Sequence, residues 1–315
     1  MLAAKSASSS PRIAWPSGLP VYDHVVIVVE ENKDYEQIAG NPSAPYINRT
    51  LRIEGADLLQ MYGEEHHSEG NYFWLFSGSN QNVGFSDKVP PPSSITASNL
   101  CAGLIAAGRF FKGYSEDLPD IGSTVEKSGH YARKHVPWIS FSNPGSGTTG
   151  GQAAGSSVNL RFEDFLHTPY GDLPAVSFVI PNLVNDMHDG KPEASIPAGD
   201  KWLMEHLDGY YQWAKQNNSL LILTFDENDH ASLFGGLTDP AAAQSAARNR
   251  ILTVFAGAHI RQGAYAEGKG VTHVNVLRTL ESMYGLERSG GQQSFALRAG
   301  IADDFIITDV FDASR

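Results

Sequence analysis

Four short, unbroken apolar runs punctuate the chain. They are His24-Val-Val-Ile-Val-Val-Glu30, Ala175–Ile180, Leu220–Phe225 and Arg250–Ala256. None alternates apolar with polar residues, the pattern of strands covered on both faces. Trp202 to Gln216 and Val274 to Tyr284 instead space their apolar residues as amphipathic helices do. Strand alternating with helix predicts an α/β fold: a mostly parallel central sheet with helices on both faces. Residues 1–20, rich in Ser, Ala and Pro, read as a flexible tail, and residues 21–315 as a single domain. Two loops interrupt it, one at Pro90-Pro-Pro-Ser-Ser and a Gly/Ser/Thr-rich one from Asn143 to Ser157.

In open parallel sheets, ligands gather beyond the carboxyl ends of the strands. The residues directly after each apolar run therefore matter most. The first run ends in Glu30-Glu31-Asn32. The third ends in Asp226-Glu227-Asn228-Asp229-His230. The second leads into Pro181-Asn182-Leu-Val-Asn185-Asp186-Met-His188-Asp189-Gly190. Three strands thus deliver carboxylates, amides and imidazoles to one sheet edge. Bunched carboxylates repel one another unless a cation neutralises them. An oxygen-rich set with a carboxamide suits a hard or borderline divalent ion.

Composition narrows the partners. Asp plus Glu is 35 against 23 Lys plus Arg, a formal charge of −12. That excludes a general nucleic-acid binder and steady docking on an anionic membrane. An anionic substrate stays open, because a bound metal reverses the local field. No run reaches the ~18 apolar residues of a membrane span. The single cysteine, Cys101, forbids an internal disulfide and reads as a buried apolar residue. The first residues lack the apolar stretch of a leader, which fits both a mature secreted or periplasmic chain and a plain N-terminus.

The segment His66-His67-Ser68-Glu69-Gly70-Asn71-Tyr72-Phe73-Trp74-Leu75-Phe76 places a hydroxyl where an apolar helix begins. Ser68 there either caps the helix or serves as a metal-activated nucleophile. Phe73, Trp74 and Phe76 read as core, and His24 as a packing residue. Gly145-Ser-Gly147-Thr-Thr-Gly150 spells G-x-G-x-x-G but opens no apolar helix, so it is set aside. No G-x-S-x-G, Walker A or H-E-x-x-H is present.

Several segments in order resemble one family. Glu30-Glu-Asn-Lys-Asp-Tyr-Glu-Gln-Ile-Ala-Gly40, His67-Ser-Glu-Gly-Asn-Tyr with Leu75-Phe-Ser-Gly-Ser79, Gly113–Pro119 and Ala132-Arg-Lys-His-Val-Pro137 come first. Pro181–Gly190 with Gly199-Asp200-Lys-Trp-Leu203, Thr224-Phe-Asp-Glu227 and Val271-Thr-His273 follow. Over about residues 22–286 the chain resembles the phosphoesterase family of bacterial acid phosphatases and phosphatidylcholine-type and plant non-specific phospholipases C. That family is similar to the alkaline phosphatase superfamily, which implies an alkaline-phosphatase-like sandwich. The resemblance implies that Glu31, Asn32, Asp226 and Glu227 hold a divalent metal: calcium, zinc, magnesium or manganese. It implies that Ser68 binds the metal and attacks phosphorus, and that Asn82 binds a phosphoryl oxygen. His135, His188 and His273 would bind phosphate or protonate the leaving oxygen. Asp186 and Asp200 would orient those histidines or join the metal. Two positions depart from the pattern: Gly70 stands where proline is common, and Glu227 where some members carry aspartate. The first is expected to loosen the turn beside Ser68.

The expected activity is metal-dependent phosphomonoester hydrolysis through phospho-Ser68, on a small phosphate ester or a phospholipid. The alternatives are a phospholipase C or other phosphodiesterase and, outside catalysis, a calcium-binding surface protein.

Overall fold

The structure is a computed structural model that describes residues 18–83, 86–142, 158–229, 249–266 and 268–312. The 143–157 loop, the G-x-G-x-x-G within it, His230 and most of the N-terminal segment lie outside the described residues.

Eight strands form one sheet: β1 (His24–Glu30), β2 (Ala56–Leu58), β3 (Phe111–Ser115), β4 (Asn159–Arg161), β5 (Val176–Ile180), β6 (Ser219–Phe225), β7 (Thr253–Gly257) and β8 (Gly263–Tyr265). Their order is β8-β2-β7-β6-β1-β5-β3-β4. From β6 across to β4 every pairing is parallel. Only β7 runs against its neighbours, and β8 lies parallel to β2. The predicted α/β fold with a mostly parallel sheet is therefore observed.

The apolar runs explain the order of the centre. β1 carries His-Val-Val-Ile-Val-Val-Glu with every residue after His24 buried, and it sits between β5 and β6. The fourth run differs from expectation. Arg250–Ile251 leaves the main sheet and pairs with Met61–Tyr62, which in turn pairs with Val271–Thr272. Thr253–Gly257 alone continues into the main sheet.

Four helices matter for the site: α1 (Ser68–Ser77), α2 (Leu100–Ala106), α3 (Pro192–Ala214) and α4 (His273–Tyr284). α3 begins ten residues before the predicted Trp202. Pro192 sits at its start, where a missing N–H costs nothing, and the helix runs on past Pro197. No helix among the described residues is long and apolar enough to cross a membrane.

α1 is buried along all ten residues. Phe76 packs on Phe111 at 5.4 Å and Phe178 at 6.1 Å between ring centres, so the helix lies against the sheet. Trp138 closes the same cluster, edge-on to Phe111 at 5.6 Å. A methyl group on Gly113 would stand 2.0 Å from the Trp138 indole. That ring is pinned by its Nε1–H, which donates to Asn159 Oδ1 at 3.0 Å. Gly113→Ala is therefore expected to lower stability by about 3 kcal/mol in urea unfolding, the upper range for overpacking. Gly103→Ala in α2, whose added methyl would meet its nearest neighbour at 3.4 Å, is the control and should unfold as wild type.

Candidate functional site

The carboxyl ends of β1, β5 and β6 meet the start of α1. Backbone bonds lock these ends together: Glu31 N–H donates to Asp186 O at 2.7 Å, and Asp226 N–H to Glu30 O at 3.0 Å. Asn32 and Met187 adopt positive φ, 48° and 74°, conformations that most side chains avoid. The ammonium of Lys33 donates to Met187 O at 2.7 Å and to Asn32 O at 3.1 Å, tying both turns down.

Ser68 stands at the first position of α1, its hydroxyl surrounded. Oγ donates to Glu31 Oε2 at 2.9 Å and lies 3.4 Å from Glu227 Oε1 and 3.3 Å from the Asn32 carboxamide. Asn32 is best satisfied with its side-chain nitrogen facing Asp226, at 3.2 and 3.3 Å, and Glu227 at 3.3 Å. Its backbone N–H also donates to Asp226 Oδ1 at 2.9 Å. All five residues expected to hold the metal thus converge, three strand-end acids among them.

A second set shares Glu31. His135 Nε2 lies 3.2 Å from Glu31 Oε1, and His135 Nδ1 lies 3.8 Å from Asp186 Oδ2. Ligand atoms of Glu31, His135 and Asp186 fit within 4.8 Å of one another, a buried group that could hold a metal ion. The His135 ring stacks on Tyr72 at 4.8 Å, and the Tyr72 hydroxyl donates to Glu31 Oε1 at 2.6 Å.

The electrostatics fit a cation. Asp226 is fully buried, and its carboxyl is pushed well above its usual range by desolvation and by Glu31 and Glu227. Asp186 shifts the same way, from burial and then Glu31, and its Oδ2 has no hydrogen-bond partner. Glu31 goes the other way: burial raises it, but the Lys134 charge and the Tyr72 hydroxyl, with His135 whenever that ring is protonated, hold it below the usual value. Burial keeps His135 neutral, its pKa lowered to about 4, as a metal-ligating imidazole needs to be. Carboxylates this close without an ion oppose one another, so the donor set fits a divalent metal.

The other expected residues divide. His188 reaches the site's rim; its backbone N–H donates to Asp186 Oδ1 at 2.8 Å, and its Nδ1 meets Asp189 Oδ1 at 2.9 Å. Its side chain keeps 32% exposure, so it can meet a ligand from solvent. His273 is buried at the start of α4, with Nε2 against Phe225 O at 2.8 Å and pKa lowered by burial to about 4. Its Nε2–H is committed to the carbonyl preceding Asp226, while its buried Nδ1 has no hydrogen-bond partner among the described residues.

Asp200 likewise serves the backbone. Its two oxygens accept the N–H groups of Tyr46 and Ile47 at 2.9 and 2.8 Å, and no histidine is among its described hydrogen-bond partners. Asn82 is exposed in a turn with φ 62°; its backbone N–H donates to Asn80 Oδ1. Asn80, not Asn82, turns inward and donates to both oxygens of Glu65 at 3.0 Å.

Gly70 lies in the first turn of α1. A methyl group there would stand 2.0 Å from Glu65 Oε1, so the carboxylate of Glu65 occupies the space a side chain would fill. Sequence reasoning also missed His66, whose Nδ1 lies 2.5 Å from Glu227 Oε2, and the cations Lys33 and Lys134. Their signal was adjacency: each sits one or two residues from a residue that was singled out.

A buried acid behind the site yields a pH prediction. Glu64 is 1% exposed, and neither of its carboxylate oxygens has a hydrogen-bond partner among the described residues. Desolvation lifts its pKa to about 8, against smaller opposing effects of nearby Thr272, Val274 and Gln293. A carboxyl raised in the folded state adds stability that is full below its unfolded pKa and is lost as pH rises through the folded value. His135 and His273 act oppositely, but only below about 6.5, their unfolded value. Between pH 6.5 and 8 stability should therefore fall, by at most ~1.4 kcal/mol per pH unit for this one group. Glu64→Gln should flatten that slope in urea titrations run at each pH.

Comparison with known proteins agrees with this geometry. The phosphoesterase family model matches residues 58–287. The phosphatidylinositol-3-phosphatase of Mycobacterium tuberculosis is 46% identical over 275 residues, covering 87% of this chain and 81% of that protein. A probable acid phosphatase of Kluyveromyces lactis is 30% identical over 217 residues, 64% of this chain but 47% of that protein, so the chain spans about half its length. In fold, a protein of the alkaline phosphatase superfamily from Vibrio parahaemolyticus superposes with a TM-score of 0.60 at 12% identity, over 92% of this chain and 71% of that one. The murine ectonucleotide pyrophosphatase/phosphodiesterase 5 superposes with a TM-score of 0.52 at 11% identity, over 91% of this chain and all of that one. The family match spans most of the chain and includes Ser68, His135, Asp186, Asp226 and Glu227, and with it the chain belongs to the phosphoesterase family.

Proposed function

We propose that this chain is a metal-dependent hydrolase of phosphate monoesters that works through a phosphoserine on Ser68. One observation carries the reading: a serine hydroxyl at a helix start, within 2.9–3.4 Å of acids from two strand ends. The names of the two relatives, both phosphatases, support the monoester class.

Glu31, Asn32, Ser68, Asp226 and Glu227 would hold the metal, and His135 and Asp186, which group with Glu31, would be further donors for it. When bound, the ion lowers the hydroxyl pKa and screens the phosphoryl oxygens. The chain's own groups do the rest. Ser68 Oγ sits where the α1 N-terminus favours negative charge, so the alkoxide is stabilised as its proton leaves toward Glu31. Oγ attacks phosphorus, forming the Ser68 O–P bond as the ester O–P bond breaks. His188, on the rim and oriented by Asp189, gives the leaving oxygen its proton. Water then attacks phosphorus and gives a proton to His188, the Ser68 O–P bond breaks, Glu31 returns its proton to Ser68 Oγ, and inorganic phosphate leaves. We also propose a secreted or periplasmic setting, which cell fractionation of the native source would check.

The test is hydrolysis of p-nitrophenyl phosphate and of bis(p-nitrophenyl) phosphate, each with chelator and with calcium, zinc, magnesium or manganese restored. Faster monoester cleavage that stops with chelator supports the reading. Faster diester cleavage would move it to the phosphodiesterase class. If every ion leaves both esters intact, the site is a non-catalytic metal centre.

A further inference from the structure

The site as described has an imbalance. Glu31, Asp186, Asp226 and Glu227 are four acids at its floor, all buried. A divalent ion offsets two charges, and a monoester brings up to two more negative ones. Something besides the ion must meet the arriving phosphoryl oxygens.

Three cations lie in the segments that build the site. Lys33 is 4% exposed, and its ammonium is spent on two backbone carbonyls. Arg133 is 3% exposed and turns Nη2 outward to Glu126 at 3.5 Å. Lys134 differs. Its side chain keeps 20% exposure, and its Nζ lies 3.1 Å from Asp87 Oδ2. It sits one residue before His135, whose ring touches Glu31. The other oxygen of Asp87, Oδ1, accepts the backbone N–H of Glu69 at 3.0 Å. One carboxylate thus ties the Lys134 ammonium to the peptide that follows the nucleophile.

We propose that Lys134 binds the terminal phosphoryl oxygens of the substrate, and that Asp87 holds its ammonium beside Ser68 for that purpose. This rests on the phosphoester reading of the same site and adds a selectivity to it. An ammonium rewards the doubly charged terminal group of a monoester more than the singly charged diester. Lys134 would then be a source of the monoester preference.

The test compares wild type, Lys134→Gln and Lys134→Arg. Three quantities are read on each: kcat/KM for p-nitrophenyl phosphate and its diester, inorganic phosphate binding by calorimetry with metal restored, and Tm. Lys134→Gln should lose ~10²-fold in monoester kcat/KM, the scale of one lost oxyanion donor. Diester cleavage should fall less than tenfold, phosphate should bind at least tenfold more weakly, and Lys134→Arg should recover part of each loss. Equal losses on both esters with a lowered Tm and no recovery by arginine would make Lys134 structural and overturn the proposal. Unchanged phosphate binding would overturn it too. Calorimetry keeps this separate from the proposed activity: a wild type that cleaves neither ester sinks the hydrolase reading, while the phosphate arm still decides Lys134.

Discussion

Ser68→Ala should lower p-nitrophenyl phosphate hydrolysis by ~10³-fold or more with little change in Tm, on the scale of losing a catalytic nucleophile. The substitution removes one oxygen and keeps the helix. Ser68 is not the residue that caps α1; His67 precedes the helix, and Asp87 Oδ1 already accepts the Glu69 N–H. Alanine is also the best helix former, so the first turn of α1 loses no propensity. What disappears is a hydroxyl within 3.4 Å of both Glu31 and Glu227. Some rate above water should remain, because the helix start and the rim residues still bind the ester. Rapid-quench labelling with a phosphorus-32 monoester should capture phosphoprotein in wild type and none in the variant. Full activity in Ser68→Ala, or label retained by it, would assign the attack to water or to another side chain.

Much of this site was written in the chain. The apolar runs placed β1, β5 and β6 within a residue of their observed limits, because strands buried on both faces leave no alternation to confuse. Their parallel packing then forces the residues after each run onto one edge, which is why Glu31, Asp186 and Asp226 could be grouped before any coordinates. What letters do not give is direction. His273 and His188 look equally available as letters, yet one is buried with Nε2 against the Phe225 carbonyl and the other is partly exposed beside Asp189. Asp200 reads in its motif as an acid that orients a histidine or joins the metal, and the fold sets it where it accepts the N–H groups of Tyr46 and Ile47. The apolar spacing marks only the part of α3 from Trp202 onward; its first ten residues carry Pro192, which is favourable at a helix start, and Pro197 inside the helix. Lys134 and Asp87 are 47 residues apart and meet only through tertiary folding, so no local pattern could pair them.

Asp226→Asn should shift metal affinity and apo stability in opposite directions, and that pair of signs is more telling than either alone. The carboxylate is one of three acids crowding Ser68, and burial with Glu31 and Glu227 pushes its pKa well up. Asparagine keeps the shape and can still accept the Asn32 N–H, now 2.9 Å from Oδ1. It removes a carboxyl whose ionisation burial, Glu31 and Glu227 oppose in the metal-free fold. The chelated variant should therefore melt at the same temperature as chelated wild type or a few degrees above it, consistent with relief of a like-charge contact. Restoring metal should reverse the ranking. Wild type gains RT ln(1 + [L]/Kd), about 2.7 kcal/mol at a hundredfold excess over Kd, while the variant gains little at the same concentration. Monoester hydrolysis should fall with the lost affinity, by at least ~10²-fold at a metal concentration that saturates wild type. Normal metal content with full activity would remove Asp226 from the ligand set. A variant that melts well below wild type in chelator would mean that Asp226 holds the β6 end through its hydrogen bonds, and that its charge is already neutralised by a proton when no metal is bound.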